Sequence, residues 1–271
     1  MEKSLTRKNN RIQGKTIVIT GASGGLGREL AKQCAQNGAN LFLLARREGE
    51  LIKLAYELQE TYKVDCTAIK VDVTATNEIQ NVFQYIREQI GKIDVLVNNA
   101  GYGIFAEAES LDLEEVEKMF AVNVLGLITC TKEAIPLLRS SKHAHIINIA
   151  SQAGKLATPK SSAYAATKHA VLGYTDSLRM ELAPASILVT AVNPGPIRTN
   201  FFEHTDPEGN YLEQLGKVVL EPHYVAEQIV KAMLTSKREI NLPWWMNFAA
   251  ILHTLMPRVV EKVGKKAFYK K

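Results

Sequence analysis

Cysteine is scarce in this sequence. The three in 271 residues, Cys34, Cys66 and Cys130, are odd in number, widely spaced and without a C-x-x-C pair. They suggest neither a disulfide framework nor a zinc site, and no metal is called for. Long apolar runs are also missing. No stretch reaches the roughly 20 consecutive apolar residues that cross a bilayer. The opening residues MEKSLTRK lack the apolar centre of a signal peptide. A reducing, cytoplasmic setting is therefore expected. There is no low-complexity linker and no internal repeat. What remains is 46% hydrophobic and 23% charged residues. That composition excludes a collagen, a coiled-coil rod and a disordered chain. At this length it can build a core without staples.

The body of the chain has no excess of positive charge either. The formal net charge is +5, yet residues 1–15 carry +4 and residues 258–271 carry +5, leaving −4 between them. Nucleic-acid binding by the body is not indicated. The basic ends read most simply as solvated tails, with contact to an anionic surface as the alternative.

Short apolar runs rich in β-branched residues recur at Thr16–Thr20, Leu41–Leu44, Thr67–Val71, Val95–Val97, His145–Ile149 and Ile187–Val192, with a weaker one at Glu239–Leu242. Without polar alternation, such runs suit strands covered on both faces. Helical stripes lie between them: Leu26, Leu30 and Cys34; Leu51, Leu54, Ala55 and Leu58; Ile79, Val82, Phe83 and Ile86. Asp112 is placed to cap a long helix through Val116, Phe120 and Val124. Repeated βα units predict an α/β Rossmann-type doubly wound domain of about seven parallel strands, with helices on both faces. The expected division is a basic tail over 1–13, the catalytic domain over 14–242 and an amphipathic basic extension over 243–271.

The first strand runs into Thr20-Gly21-Ala22-Ser23-Gly24-Gly25-Leu26-Gly27. Gly21 suits a sharp turn, Gly25 a close approach of backbone to a pyrophosphate, and Gly27 close packing of helix on strand. The helix start supplies amides and a positive dipole end. A glycine-rich turn can be purely structural, but this one follows an apolar strand at the start of a βαβ unit. At the end of strand two, where an acid would bond the ribose of NAD, stands Ala45, followed by Arg46 and Arg47. Two guanidinium groups there favour a 2′-phosphate, so NADP(H) is expected in preference to NAD(H). A pair of exposed loop arginines is the plainer alternative.

Ser151, Tyr164 and Lys168 form a second cluster. The tyrosine and lysine are four residues apart and share a helix face. A free phenol titrates near 10 and is a poor base at pH 7. A neighbouring ammonium, helped by the charge of an oxidised nicotinamide, would favour the phenolate. A shift of about three units corresponds to roughly 4 kcal/mol. Tyr-x-x-x-Lys by itself is common and usually describes a packed tyrosine beside a snorkelling lysine.

In order and spacing, these motifs resemble the short-chain dehydrogenase/reductase family over residues 14–242, in its shorter branch. Ser151 precedes Tyr164 by 13 residues, as that family requires. The resemblance implies a catalytic tetrad of Asn123, Ser151, Tyr164 and Lys168. Ser151 would orient a carbonyl or hydroxyl, Tyr164 would exchange the proton, and Lys168 would lower the tyrosine pKa and bind the nicotinamide ribose. Asn123 would help hold a water linking Lys168 to solvent. It also implies a cofactor site. Gly21, Ser23, Gly24, Gly25, Leu26 and Gly27 would form the phosphate loop, and Asp72 with Val73 the adenine border. Asn99, Ala100 and Gly101 would lie in the turn after strand four, where Asn98 is structural. Pro194, Gly195, Ile197 and Thr199 would meet the nicotinamide amide. Many NADP-preferring members carry a basic residue where this chain has Gly24, so the preference leans on Arg46 and Arg47, with Ser23 as helper.

The expected activity is reversible oxidoreduction of a small carbonyl or alcohol substrate. A cofactor-binding regulatory protein and a membrane-surface lipid reductase are the alternatives. Phe201, Phe202, Tyr211, Leu212 and Leu215 suit a lid over a lipophilic substrate. Over 243–271, Trp245, Phe248, Leu252, Leu255, Val259 and Lys262 recur at helical steps, with Pro257 dividing the helix. A homodimer or homotetramer surface is the preferred use of that face, with a private lid or an anionic bilayer as the others.

Overall fold

A computed structural model describes residues 9–156, 158–199, 201 and 216–268. Strands and helices alternate: β1 (Thr16–Thr20), α1 (Gly25–Gln36), β2 (Asn40–Ala45), α2 (Glu48–Tyr62), β3 (Cys66–Lys70), α3 (Thr76–Ile90) and β4 (Val95–Asn98). There follow α4 (Leu113–Phe120), α5 (Leu127–Arg139), β5 (Ala144–Ile149), α6 (Ser162–Leu182), β6 (Ile187–Pro194), α7 (Pro222–Ala232), β7 (Glu239–Leu242), α8 (Trp244–Leu255) and α9 (Pro257–Phe268). Among the described residues the sheet has seven strands, all parallel, in the order β3-β2-β1-β4-β5-β6-β7. The order reverses between β1 and β4, and the crevice that this leaves at the carboxyl ends of the strands is where such folds bind ligands.

The two-faced burial expected of the strands is observed in the central ones, whereas the edge strands β3 and β7 are only partly covered. Ile17 and Ile19 of β1, Leu41 and Leu43 of β2, and Val95 and Val97 of β4 pack on one side, with α1, α2 and α7. Their neighbours Val18, Phe42, Leu44 and Leu96 pack on the other, with α3, α5 and α6. Because side chains alternate along a strand, only an all-apolar run can serve both layers. Of the basic N-terminal segment, residues 9–13 pack on the domain. Ile12 is fully buried, and the Arg11 guanidinium donates to the carbonyls of Lys231 and Met233 at the end of α7. A cation there also complements the helix dipole.

Asp112 caps α4 as expected, its carboxylate accepting from the Glu114 amide at 3.0 Å. The helix does not continue as one α-helix. Residues Ala121–Gly126 form a π-helical stretch before α5. Its extra residue per turn lets Gly126 lie directly against the backbone and side chain of Val73. An 18-residue stretch within Leu113–Arg139, at a mean hydropathy of 1.4, is long and apolar enough to match a membrane span. Half of it is buried, and Cys130, Ala134, Leu137 and Leu138 belong to the core, as in a central helix of a globular domain.

His145, on β5, is completely buried. The Leu234 amide donates to its Nδ1 at 2.9 Å, so the ring proton sits on Nε2 and faces Thr190 Oγ1 at 2.8 Å. Burial pushes its pKa down to about 3. An unfolded histidine takes a proton below about pH 6.5, and the folded one does not, so acid favours the unfolded chain. Between pH 7 and pH 5 the wild type is expected to lose about 2 kcal/mol more unfolding free energy than His145→Gln. Urea unfolding of both proteins at the two pH values checks this. Parallel losses would mean that His145 titrates in the folded protein.

Candidate active site

The glycine loop closes on the turn after β4. Gly21 has φ +67°, and a Cβ there would meet Ala100 Cα at 2.9 Å. A Cβ on Gly27 would lie 2.6 Å from Asn99 Nδ2. Two polar side chains hold the turns together. Thr20 Oγ1 accepts from the amides of Asn99 and Ala100 at 2.9 and 3.0 Å, and Asn99 Nδ2 donates to the carbonyls of Thr20 and Gly21 at 3.0 and 3.2 Å. Asn99 therefore acts on the loop as a clamp. Thr20 opens the glycine motif in the sequence, but its role in tying that loop to the turn after β4 carried no sequence signal. Asn98 points inward, donating to Thr131 and Asn148.

α1 begins at Gly25, and Gly24 offers no side chain to cap its first amides. The Leu26 side chain turns into the core. Those uncapped amides form an anion-binding end. Above them lies Arg47, whose Nε donates to Ser23 Oγ at 3.2 Å and whose guanidinium reaches 2.5 Å from where a Gly24 Cβ would stand. A positive charge thus reaches the Gly24 slot from the end of β2. Arg46 is exposed beside it. After β3 the Asp72 carboxylate accepts from the Thr74 amide and hydroxyl at 2.9 and 2.8 Å, which fixes the turn at Val73.

The four expected catalytic side chains come together from three elements. Asn123 lies in the π-helical stretch. Its Oδ1 accepts from the Tyr102 amide at 2.9 Å, and its Nδ2 donates to the Tyr102 carbonyl at 2.8 Å and to Thr167 Oγ1 at 3.1 Å. Lys168 Nζ, from α6, donates to the Ile149 carbonyl at 3.0 Å. A Cβ on Gly101 would lie 3.0 Å from Asn123 Oδ1 and 3.6 Å from Lys168 Nζ, so this glycine leaves the space in front of both. Ser151 follows β5. Its Oγ accepts from the Ala153 amide at 3.1 Å and reaches the Pro194 carbonyl only at 3.5 Å. Tyr164 is buried, with Lys168 Nζ 5.7 Å from its ring centre. Phe105 and Phe201 meet the Tyr164 ring edge-on at 5.5 and 5.8 Å. Phe105 carried no sequence signal, since it lies in a loop without periodicity. Phe202, Tyr211, Leu212 and Leu215 lie outside the described residues.

The loop after β6 completes the crevice. The Gly195 amide donates to the Leu242 carbonyl at 2.6 Å, and the segment around Ile197 pairs with Leu220. This brings the Thr199 side chain to 3.4 Å from the Cβ position of Gly25, joining the loop to the phosphate-binding end.

Residues 15–209 match the sequence model of the family described as short chain dehydrogenase. The chain belongs to the short-chain dehydrogenase/reductase family. A dehydrogenase/reductase SDR family protein 7-like from Anopheles gambiae is 33% identical over 269 residues, covering 96% of this chain and 85% of its own length. A short chain dehydrogenase/reductase from Burkholderia phymatum in complex with NAD superposes with a TM-score of 0.83 at 26% identity, over 92% of this chain and 95% of its own. A short-chain dehydrogenase from Sphingobium yanoikuyae in complex with NADPH gives 0.77 at 27% identity, over 90% and 95%. Like other short-chain dehydrogenases/reductases, the protein is an NAD(P)-dependent oxidoreductase acting on the CH–OH group of a small molecule. The donor set suits that cofactor: uncapped helix amides and arginines at one end of the crevice, a buried lysine and an open glycine backbone at the other.

In the protein without cofactor, burial opposes the lowered tyrosine pKa expected when Lys168 and an oxidised nicotinamide both stand beside the phenol. Burial raises the Tyr164 phenol to about 12, with a hydrogen bond from Ser151 acting weakly the other way. Burial also lowers Lys168 to about 8. Both groups are removed from water, and desolvation disfavours phenolate and ammonium alike. In the protein alone, Tyr164 is therefore a neutral acid.

Proposed function

We infer that this enzyme reduces the carbonyl group of a lipophilic substrate and prefers NADP(H) to NAD(H). The observation that carries the reading is the buried Tyr164, whose ring stands between Phe105 and Phe201 beside Ser151 and Lys168. A neutral phenol at pH 7 is poised to give a proton. Ser151, which stands within hydrogen-bond reach of Tyr164 and only 3.5 Å from the Pro194 carbonyl, would turn its hydroxyl to the carbonyl oxygen of a bound substrate, orienting and polarising it. Reduced nicotinamide, when bound, supplies the hydride for the carbonyl carbon. Tyr164 Oη protonates the oxygen as the alcohol forms. Lys168, which faces the space at Gly101, would hold the nicotinamide ribose and restore the phenol's proton, and Asn123 fixes the Tyr102 backbone that borders this space. Phe105 and Phe201 present an apolar wall to the substrate.

The family likeness alone carries no cofactor preference, since one neighbouring structure holds NAD and another NADPH. Arg46 and Arg47 carry it here. A 2′-phosphate would gain charge-assisted hydrogen bonds from them that a plain ribose does not. The wild type is expected to bind NADPH more tightly than NADH, and Arg46→Asp to weaken NADPH by about tenfold or more while changing NADH little. Fluorescence titration with both nucleotides checks this, and tighter NADH binding by the wild type would sink the preference. A panel of ketones, aldehydes and acyl thioesters followed by NADPH absorbance tests the activity. Turnover confined to small polar carbonyls would overturn the lipophilic reading.

A further inference from the structure

Among the described residues, the two C-terminal helices leave an apolar face without a partner. α8 is attached through its other side. Ala250 is buried, Asn247 Oδ1 accepts from Lys155 Nζ at 2.9 Å, and Met246 Sδ lies 3.1 Å from the Cβ position of Gly195. Facing away are Trp244, Trp245, Phe248, Ile251 and Leu255, with Trp244 77% and Leu255 72% exposed. Exposed apolar surface of this kind marks an interaction site. From Ile240 to Pro257 the sequence holds no Asp, Glu, Lys or Arg, whereas 258–271 carries a net +5. The helices touch, with His253 Nε2 3.4 Å from Glu261 Oε1. The one acid of the segment is thereby occupied. On α9, Val259 and Val263 are exposed beside Arg258 and Lys262.

We propose that α8 and α9 dock this enzyme on an anionic bilayer surface. Indole rings at the start of α8 suit the headgroup boundary, the apolar face suits the outer acyl region, and the basic helix suits anionic headgroups. A second copy of the chain is the competing occupant. A two-fold interface would bring like patches together, so the basic start of α9, with Arg258 and Lys262 exposed, would meet its own copy. Charge complementarity therefore favours the lipid over the second copy. The inference does not depend on the catalytic reading.

The test uses the full-length protein and sedimentation with vesicles of phosphatidylcholine, with or without 30% phosphatidylglycerol (about 30%, enough for a clearly negative surface). Binding is expected to be about tenfold or more stronger to the anionic vesicles and to weaken with added salt. Trp244→Glu/Phe248→Glu, at two exposed positions, should abolish it, and Lys262→Glu should weaken it, with circular dichroism confirming that each variant is folded. Failure to sediment with anionic vesicles would overturn the proposal. So would binding that survives Trp244→Glu/Phe248→Glu. A larger species in light scattering that this double variant dissolves, without vesicle binding, would assign the face to a second copy.

Discussion

Tyr164→Phe is expected to lower kcat by about a thousandfold or more while leaving NADPH affinity near the wild-type value. The substitution removes one oxygen and keeps the ring that Phe105 and Phe201 contact edge-on. The apolar wall and the fold should therefore survive, which separates loss of the proton donor from loss of structure. Single-turnover absorbance with bound NADPH measures the first, and nucleotide titration the second. Near-normal turnover in this variant would mean that another group protonates the product.

Lys168 should behave differently, because one side chain faces both the ring of Tyr164 and the space at Gly101. Lys168→Met is expected to reduce kcat by about a hundredfold or more and also to weaken NADPH binding. Burial has lowered its pKa to about 8, so the group is largely charged at pH 7 and loses its proton as the pH rises through 8. Reductive kcat/KM should therefore fall above about pH 8, while Tyr164, at about 12, remains protonated across that range. In Lys168→Arg the guanidinium does not deprotonate, and whatever activity remains should lose the break near 8. A pH profile of both proteins decides. An unchanged break in the arginine variant would assign it to another group.

The apolar runs and the three-and-four-residue stripes were sufficient for the sheet, the number of strands and the helices that cover it. Those features depend on local periodicity and on which residues avoid water, and both are written into neighbouring positions. The glycine loop, the Tyr164–Lys168 pair and the arginine pair were legible for the same reason, whereas the Ser151 to Tyr164 spacing gained meaning only from the family resemblance. Each of those three is a short segment whose chemistry needs particular residue types close together in the chain.

What the periodicity did not show was where the helix after Asp112 changes its winding. A π-helical turn adds one residue without altering the apolar pattern enough to be read. It is Val73, packed against Gly126 from another βα unit, that accompanies it. Nor could adjacency reveal that Arg47 fills the slot above Gly24, that Thr20 ties two loops together, or that Phe105 stands against Tyr164. These pairs are brought together by the order β3-β2-β1-β4-β5-β6-β7, and their separations in the chain carry no signal. The sign of the Tyr164 shift belongs with them. From the sequence, a lysine four residues away argued for a lowered pKa. Without cofactor, burial acts the other way, because the cost of placing charge in a dry crevice depends on everything that surrounds the phenol and not only on its neighbour along the helix.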